Sequence, residues 1–365
     1  MSQQTFYQVT APFEAARKIS SLPSDHPASR LHGHSFQAKL TASLPSDWAS
    51  FQGAEIDDLQ ALLKKTTKPL DYAYLNDLIA IPTDENLARW IRDNINFSID
   101  QLGVQSTPNH GADIDHQGHV HLWRRFQFEA AHCLPNVPKE HPCGSMHGHS
   151  FEVVVHVEQP LEGVDRRIDY DWLTRIWQPL QAQLHHSCLN DIPGLANPTS
   201  EMIAKWVWEN LDCQVPNLSR VSVYETVTAG CHYNGNHFRI WKAQRFEAAA
   251  MLSHAPADDP RRRLHGHSYI SRLHLTSPLD EVMGWTIDYG DVKSVFSPIY
   301  KQLDHHDLSQ LTDSDNSDLL TIANWVCDRL SNIMPQLDRF DLYQKPGCGC
   351  ILDWGEAAPA LPDSL

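Results

Sequence analysis

The chain has 365 residues, 41% of them hydrophobic, and a mean hydropathy of −0.41. That balance is typical of a soluble globular protein, and the length exceeds one ordinary core. A formal charge of −16, from 29 basic and 45 acidic residues, argues against nucleic acid as a partner, because phosphates need a basic surface.

The opening residues, MSQQTFYQV, carry no signal-peptide pattern, and no apolar run approaches membrane-spanning length. A cytoplasmic protein without membrane contact is expected. The first motif is Phe13-Glu14-Ala15-Ala16-Arg17, followed by His32-Gly33-His34-Ser35-Phe36. Both recur twice: Phe128-Glu129-Ala130-Ala131-His132 with His147-Gly148-His149-Ser150-Phe151, then Phe246-Glu247-Ala248-Ala249-Ala250 with His265-Gly266-His267-Ser268-Tyr269. The spacings of 115 and 118 residues suit domains, so the expectation is three tandem repeats over 1–117, 118–237 and 238–365. Polar stretches, Thr107-Pro108-Asn109-His110-Gly111 and Tyr233-Asn234-Gly235-Asn236, separate the copies.

The second copy shows the internal layout. Leu122–His132 alternates, with Phe126, Phe128, Ala130 and His132 on one face, and reads as a strand. His147–Glu158 is a second strand, with Phe151, Val153, Val155 and Val157 on one face. Asp171–Leu184 places Leu173, Ile176, Trp177, Leu180 and Leu184 at helical spacing, with a kink expected at Pro179. Pro198-Thr199-Ser200 starts another helix, striped by Met202, Ile203, Trp206, Val207 and Leu211. Val221, Val223 and Glu225 alternate as a strand, and His237–Trp241 is expected to close the sheet. The order β-β-α-α-β-β predicts an α+β repeat, an antiparallel sheet with helices on one face. Three such sheets joined edge to edge would close a barrel and remove their open edges.

His147 and His149 lie two apart on a strand and share a face, and His132 ends the preceding strand in the same parity. Three imidazoles converging with an open fourth position match a catalytic zinc site. The other copies carry Arg17 and Ala250 where His132 stands, so their His32/His34 and His265/His267 pairs are expected to hold no metal. Cys143 lies four residues before His147, against Ala28 and Arg261 elsewhere, and is a candidate base or nucleophile. The other seven cysteines fit reduced thiols. Glu225, against Ser106 and Gln344, faces inward and suits an amide-plus-amino edge of a heterocycle. Arg261-Arg262-Arg263 is the densest basic cluster, either solvated surface or a face for an anion.

The segments CGSMHGHSF, FEAAH, IDYDWL (168–173), LNDIPGLANPTSEMIAKWVW (189–208) and VYETVTAGC (223–231) together resemble the 6-carboxy-5,6,7,8-tetrahydropterin synthases, the queuosine-pathway branch of the 6-pyruvoyltetrahydropterin synthase family. The resemblance implies the tunnelling fold, with one chain acting as a pseudo-trimer and a homodimer replacing the family's hexamer. It implies a Zn2+ cofactor on His132, His147 and His149, and a reaction from 7,8-dihydroneopterin triphosphate to 6-carboxy-5,6,7,8-tetrahydropterin, acetaldehyde and triphosphate. It further implies Cys143 as general base, and Glu225 with Thr199 as contacts to the pterin.

The family completes its site with an Asp-His pair from a neighbouring subunit. Repeat two reads Leu184-His185-His186 there, and repeat one Leu70-Asp71-Tyr72. Repeat three alone keeps Leu303-Asp304-His305, so Asp304 and His305 are expected to serve the Cys143 site across the repeat two/three boundary; service by His186 is the alternative. Two other functions stay open at this point: a 6-pyruvoyltetrahydropterin synthase-type activity, and a non-catalytic pterin- or metal-binding scaffold.

Overall fold

A computed structural model describes residues 3–159, 169–311 and 316–355; Ile168, at the head of one quoted motif, lies outside them. Each repeat opens with a long hairpin whose strands alternate between two environments. In repeat one these are β1 (Gln4–Arg17) and β2 (His32–Ala42), followed by helix α1 (Glu55–Thr67), a short β3 (Ala73–Tyr74), helix α2 (Asp84–Asp93), and strands β4 (Gln101–Thr107) and β5 (His110–Asp115). Repeat two runs β6 (Val120–His132), β7 (His147–Gln159), α3 (Tyr170–Leu184), β8 (Ser187–Cys188), α4 (Ser200–Leu211), β9 (Leu218–Thr226) and β10 (Ala229–Tyr233). Repeat three runs β11 (Phe238–Ala250), β12 (His265–Thr276), α5 (Tyr289–Leu303), α6 (Leu319–Leu330), β13 (Leu337–Lys345) and β14 (Cys348–Asp353).

The three hairpins share one register, with Phe13 opposite Phe36, Phe128 opposite Phe151, and Phe246 opposite Tyr269. Each strand turns its apolar parity outward under the helices. In β7, Phe151, Val153, Val155 and Val157 join the main core with Leu173, Trp177, Leu180 and Leu184 of α3. The opposite parity faces into the ring, where Trp123, Val154, Tyr224, Trp241 and Ala243 pack together. The helices start where short side chains cap them: Asp169 accepts the Trp172 N–H at 2.7 Å, and Thr199 accepts that of Met202 at 3.2 Å.

Neighbouring sheets join through β5–β6 and β10–β11, and β14 pairs with β1 to close the ring. Among the described residues the pairing is antiparallel, apart from the two-residue strands β3 and β8 on the edges of β1 and β6 and a single parallel bridge between Ala249 and Asp307. A closed antiparallel barrel with helices outside is therefore the architecture, and closure leaves no long edge bare.

Two expectations need correcting. The last strand of repeat two is Ala229–Tyr233, while the segment from Phe238 begins β11 of repeat three. Short, Gly-bearing AGCHY offers little apolar alternation, which hid it. Likewise, the stretch 107–111 is no linker: Pro108 and Asn109 turn the β4–β5 hairpin inside repeat one. The helix α3 runs through Pro179 to Leu184. All eight cysteines are free thiols, and no helix among the described residues is long and apolar enough to cross a membrane.

Candidate metal centre at the seam of repeats two and three

Register places the histidines. His132 and His147 are directly paired at the ends of β6 and β7, and His149 pairs with Ala130 two residues along, on the same face. His132 is 1% exposed. Its Nδ1 donates to the Pro198 carbonyl at 2.9 Å, and His147 Nδ1 donates to that of Ser145 at 2.8 Å. Both rings therefore present Nε2 to a common centre. The buried Nε2 atoms of His132 and His149 have no hydrogen-bond partner among the described residues. Burial lowers the basicity of both rings, so they are neutral donors.

Glu225 on β9 completes the group. Its Oε2 accepts the Ser200 hydroxyl at 2.6 Å, and its Oε1 stands 3.6 Å from His149 Nε2. Ligand atoms of His132, His147, His149 and Glu225 all lie within 4.8 Å of one another. Orphaned imidazole nitrogens, fixed from behind by carbonyls and joined by one carboxylate, fit the nitrogen-rich set that zinc prefers. The fourth position, expected to be open, is thus faced by Glu225.

Cys143 sits in a single 3-10 turn, Pro142–Gly144. His141 Nδ1 accepts the Cys143 N–H at 3.2 Å, while its Nε2 donates to Asp288 at 3.1 Å. Asp288 caps α5, so repeat three grips the cysteine turn of repeat two. The same seam is stitched by Asn197 on Met283 O at 2.6 Å, by Thr199 on Gly284 O, and by Glu201, which accepts Thr286 N–H at 2.7 Å. Burial pushes the Glu201 carboxyl up to about 7. Thr199, expected against the substrate, has its hydroxyl engaged by Gly284 and the α4 cap.

His141 and Asp288 received no role in the sequence analysis. Lining up the repeats exposes them, because His26 and Asp259 cap the equivalent turns through the N–H of Ala28 and Arg261. Replacing His141 by Ala should cut turnover ~10- to 100-fold with metal content unchanged, as for other groups that orient a reactive side chain. Asn, which can still accept the N–H, should recover part of it. Steady-state kinetics beside metal analysis checks this.

Asp304 and His305 make no hydrogen bond to a histidine of the centre among the described residues. Asp304 accepts the Glu247 N–H at 3.0 Å, and His305 N–H donates to Glu247 O at 2.6 Å. Glu247 therefore turns its N–H and C=O away from β12, toward the side where β10 pairs only as far as Lys242. Asp304 and His305 hang on that edge, facing repeat two, with His305 Nδ1 3.0 Å from Asp304 and its side chain 77% exposed. Asp71 and His185 accept the Glu14 and Glu129 N–H in the same manner, at 2.9 and 3.1 Å. Tyr72, His186 and His305 share a left-handed φ of 53°, 58° and 59°. The loop conformation thus survives without the acid, through His185 Nδ1.

Repeat one fills its centre from within. The Arg17 guanidinium donates to Pro82 O at 2.9 Å, as His132 does to Pro198, and to Asp84 at 2.7 Å. Asp84, which burial would raise but Arg17 holds below the usual carboxylate range, also accepts Ser106 at 2.8 Å and Tyr170 of repeat two at 3.0 Å. Carboxylate and hydroxyl have exchanged places relative to Glu225 and Ser200. In repeat three, Arg261 pairs with Asp57 and Asp259, and Arg262 with Ala255 O, so this basic cluster lies at the seam with repeat one.

The profile of the family described as 6-pyruvoyl tetrahydropterin synthase matches residues 7–115, 121–236 and 239–354. A 6-carboxy-5,6,7,8-tetrahydropterin synthase of Synechocystis sp. is 38% identical over 119 residues, covering 31% of this chain and 91% of the relative. A dihydroneopterin monophosphate aldolase of Pyrococcus furiosus is 25% identical over 112 residues, 30% of this chain and 95% of that one. The solved 6-pyruvoyl tetrahydropterin synthase of Caenorhabditis elegans aligns at 20% identity and a TM-score of 0.26, over 31% of this chain and 92% of its own.

Proposed function

Because this chain belongs to the 6-pyruvoyl tetrahydropterin synthase family, with three copies of the family domain, we propose that it is a zinc-dependent lyase with one working site, at the seam of repeats two and three. The product is the one in the Synechocystis relative's name, 6-carboxy-5,6,7,8-tetrahydropterin; in the reaction that the sequence resemblance implies, 7,8-dihydroneopterin triphosphate, with uptake of water, gives that product with acetaldehyde and triphosphate. The observation that carries this reading is the convergence of three imidazoles, two with orphaned Nε2 atoms, beside a cysteine gripped across the seam.

His132, His147 and His149 would hold the ion. Bound there, zinc would lower the pKa of the substrate's side-chain hydroxyls and oppose the rise that burial, Glu225 and Asp288 impose on the Cys143 thiol. Glu225, fixed through Oε2 by Ser200, keeps Oε1 available for the amide-plus-amino edge of the pterin. Cys143 takes a proton from the side chain being cleaved. Asp304 holds His305 Nδ1, leaving Nε2 to relay that proton at the seam. Leu31, Met146 and Leu264, one before each HisGlyHis, are 68%, 56% and 63% exposed, an apolar set that favours stacking of two chains into a homodimer.

Asp304→Asn keeps an oxygen for the Glu247 N–H but loses the charge beside His305. Turnover should fall at least ~10²-fold with zinc retained; unchanged activity would sink the relay. For the reaction itself, the zinc-loaded protein is incubated with dihydroneopterin triphosphate. Acetaldehyde supports the reading, a pyruvoyl product points to the sister activity, and zinc binding without turnover points to a scaffold.

A further inference from the structure

At the seam of repeats three and one, the positions that build the metal centre enclose instead a cavity of about 160 Å³. Ala250 leaves room where His132 would reach in, Arg261 replaces the cysteine, and Gln344 replaces the carboxylate. The charged wall is already balanced. Arg261 donates to Asp57 and Asp259, each at 2.7 Å, and lies 4.6 Å over the Phe51 ring, while Asp57 also holds Lys345 at 3.1 Å. Nothing in that wall calls for an ion.

The floor is different. Gln344 and His267 are half-buried, both line the cavity, and neither side chain makes a hydrogen bond among the described residues. Burial and the neighbouring His265 keep His267 neutral, able to give or take one hydrogen bond. In the catalytic seam, the group at Gln344's position is paired to Ser200. Here the corresponding helix residue is Leu319, which can hold nothing.

We infer that this cavity is a second, non-catalytic ligand site, taking one small neutral heterocycle that presents a carbonyl beside a ring N–H. A carboxylate offers acceptors only, so Glu225 demands two N–H groups; the Gln344 amide offers one acceptor and one donor, and demands the lactam edge. A volume of about 160 Å³ falls below the ~300–1,000 Å³ of sites for drug-sized ligands, so a fused ring pair fits and a triphosphate tail does not. With neither a third histidine nor a thiol, the bound ring meets no chemistry. The inference rests on Glu225 being the heterocycle anchor of the working site.

The probe is lumazine, a 2,4-dioxopteridine whose ring N–H is flanked by carbonyls, followed by fluorescence on the full zinc-loaded chain. One lumazine per chain is expected, with the same affinity after zinc is chelated. Gln344→Leu and Gln344→Glu should each weaken it about tenfold or more, the second because a carboxylate would meet a carbonyl. Ala250→Met, which fills the space without touching the amide, should do the same. Turnover at Cys143 should be unaffected in all three variants. Absence of binding, binding that survives the Gln344 variants, or binding lost with Glu225→Leu would overturn the inference. Lumazine binding in a protein that produces no acetaldehyde would instead defeat the lyase reading and leave the lactam site standing.

Discussion

The His132→Asn variant should bind no zinc and lose activity by ~10³-fold or more, while melting close to the parent metal-free protein. Asn is the informative choice. Its side-chain N–H can still reach the Pro198 carbonyl that His132 Nδ1 serves, so the α4 start keeps its donor, but nothing replaces Nε2 at the centre. Several kcal/mol of transition-state stabilisation attributed to a catalytic metal correspond to at least three decades in rate. The wild-type chain should carry one zinc by elemental analysis, and His32→Ala or His265→Ala should leave that number alone. Arg17 is the physical reason to expect none in repeat one: its guanidinium already occupies the donor position and is paired with Asp84. Three zinc ions per chain would overturn the single-site account.

Cys143→Ala should lower turnover ~10²- to 10⁴-fold, the usual range for losing a positioned proton-transfer group, with zinc content and melting temperature unchanged. The molecule contains its own control. Repeat one carries Ala28 in the equivalent turn, and His26 Nδ1 still accepts its N–H at 3.1 Å. Alanine is therefore compatible with the turn, and any loss of rate reports on the thiol. A variant retaining more than a tenth of wild-type turnover would remove Cys143 from the proton path.

The repeat frame, the helix stripes and the three histidines were legible because each rests on a short periodicity or an identity repeated three times. Phe128 and His132 share a strand parity, and that parity alone sends both to the outer face. What stayed hidden were contacts between segments distant in sequence. His141 bonds to Asp288, 147 residues away, and no local pattern announces that pairing. The exchange of Ser106 with Asp84 for Glu225 with Ser200 was invisible for the same reason, since it requires two elements to be superposed at once. The chemistry of the Asp-His pair is legible in its residue types, yet its backbone role, holding both the N–H and the C=O of Glu247, is the part shared by all three repeats.

The closure of β1 on β14 has a consequence for synthesis. Thr5 to Gln8 leave the ribosome more than 300 residues ahead of their partners, Gly349 to Leu352. At roughly 5–20 residues per second, that edge stands unpaired on the order of tens of seconds. An uncovered strand reading TFYQV is a template for pairing with another nascent chain. A separate one-repeat subunit can fold before it meets its neighbours; here β1 must wait for β14. Fusion lets each seam take its own chemistry, and shifts the hazard from assembly in solution to the interval of translation.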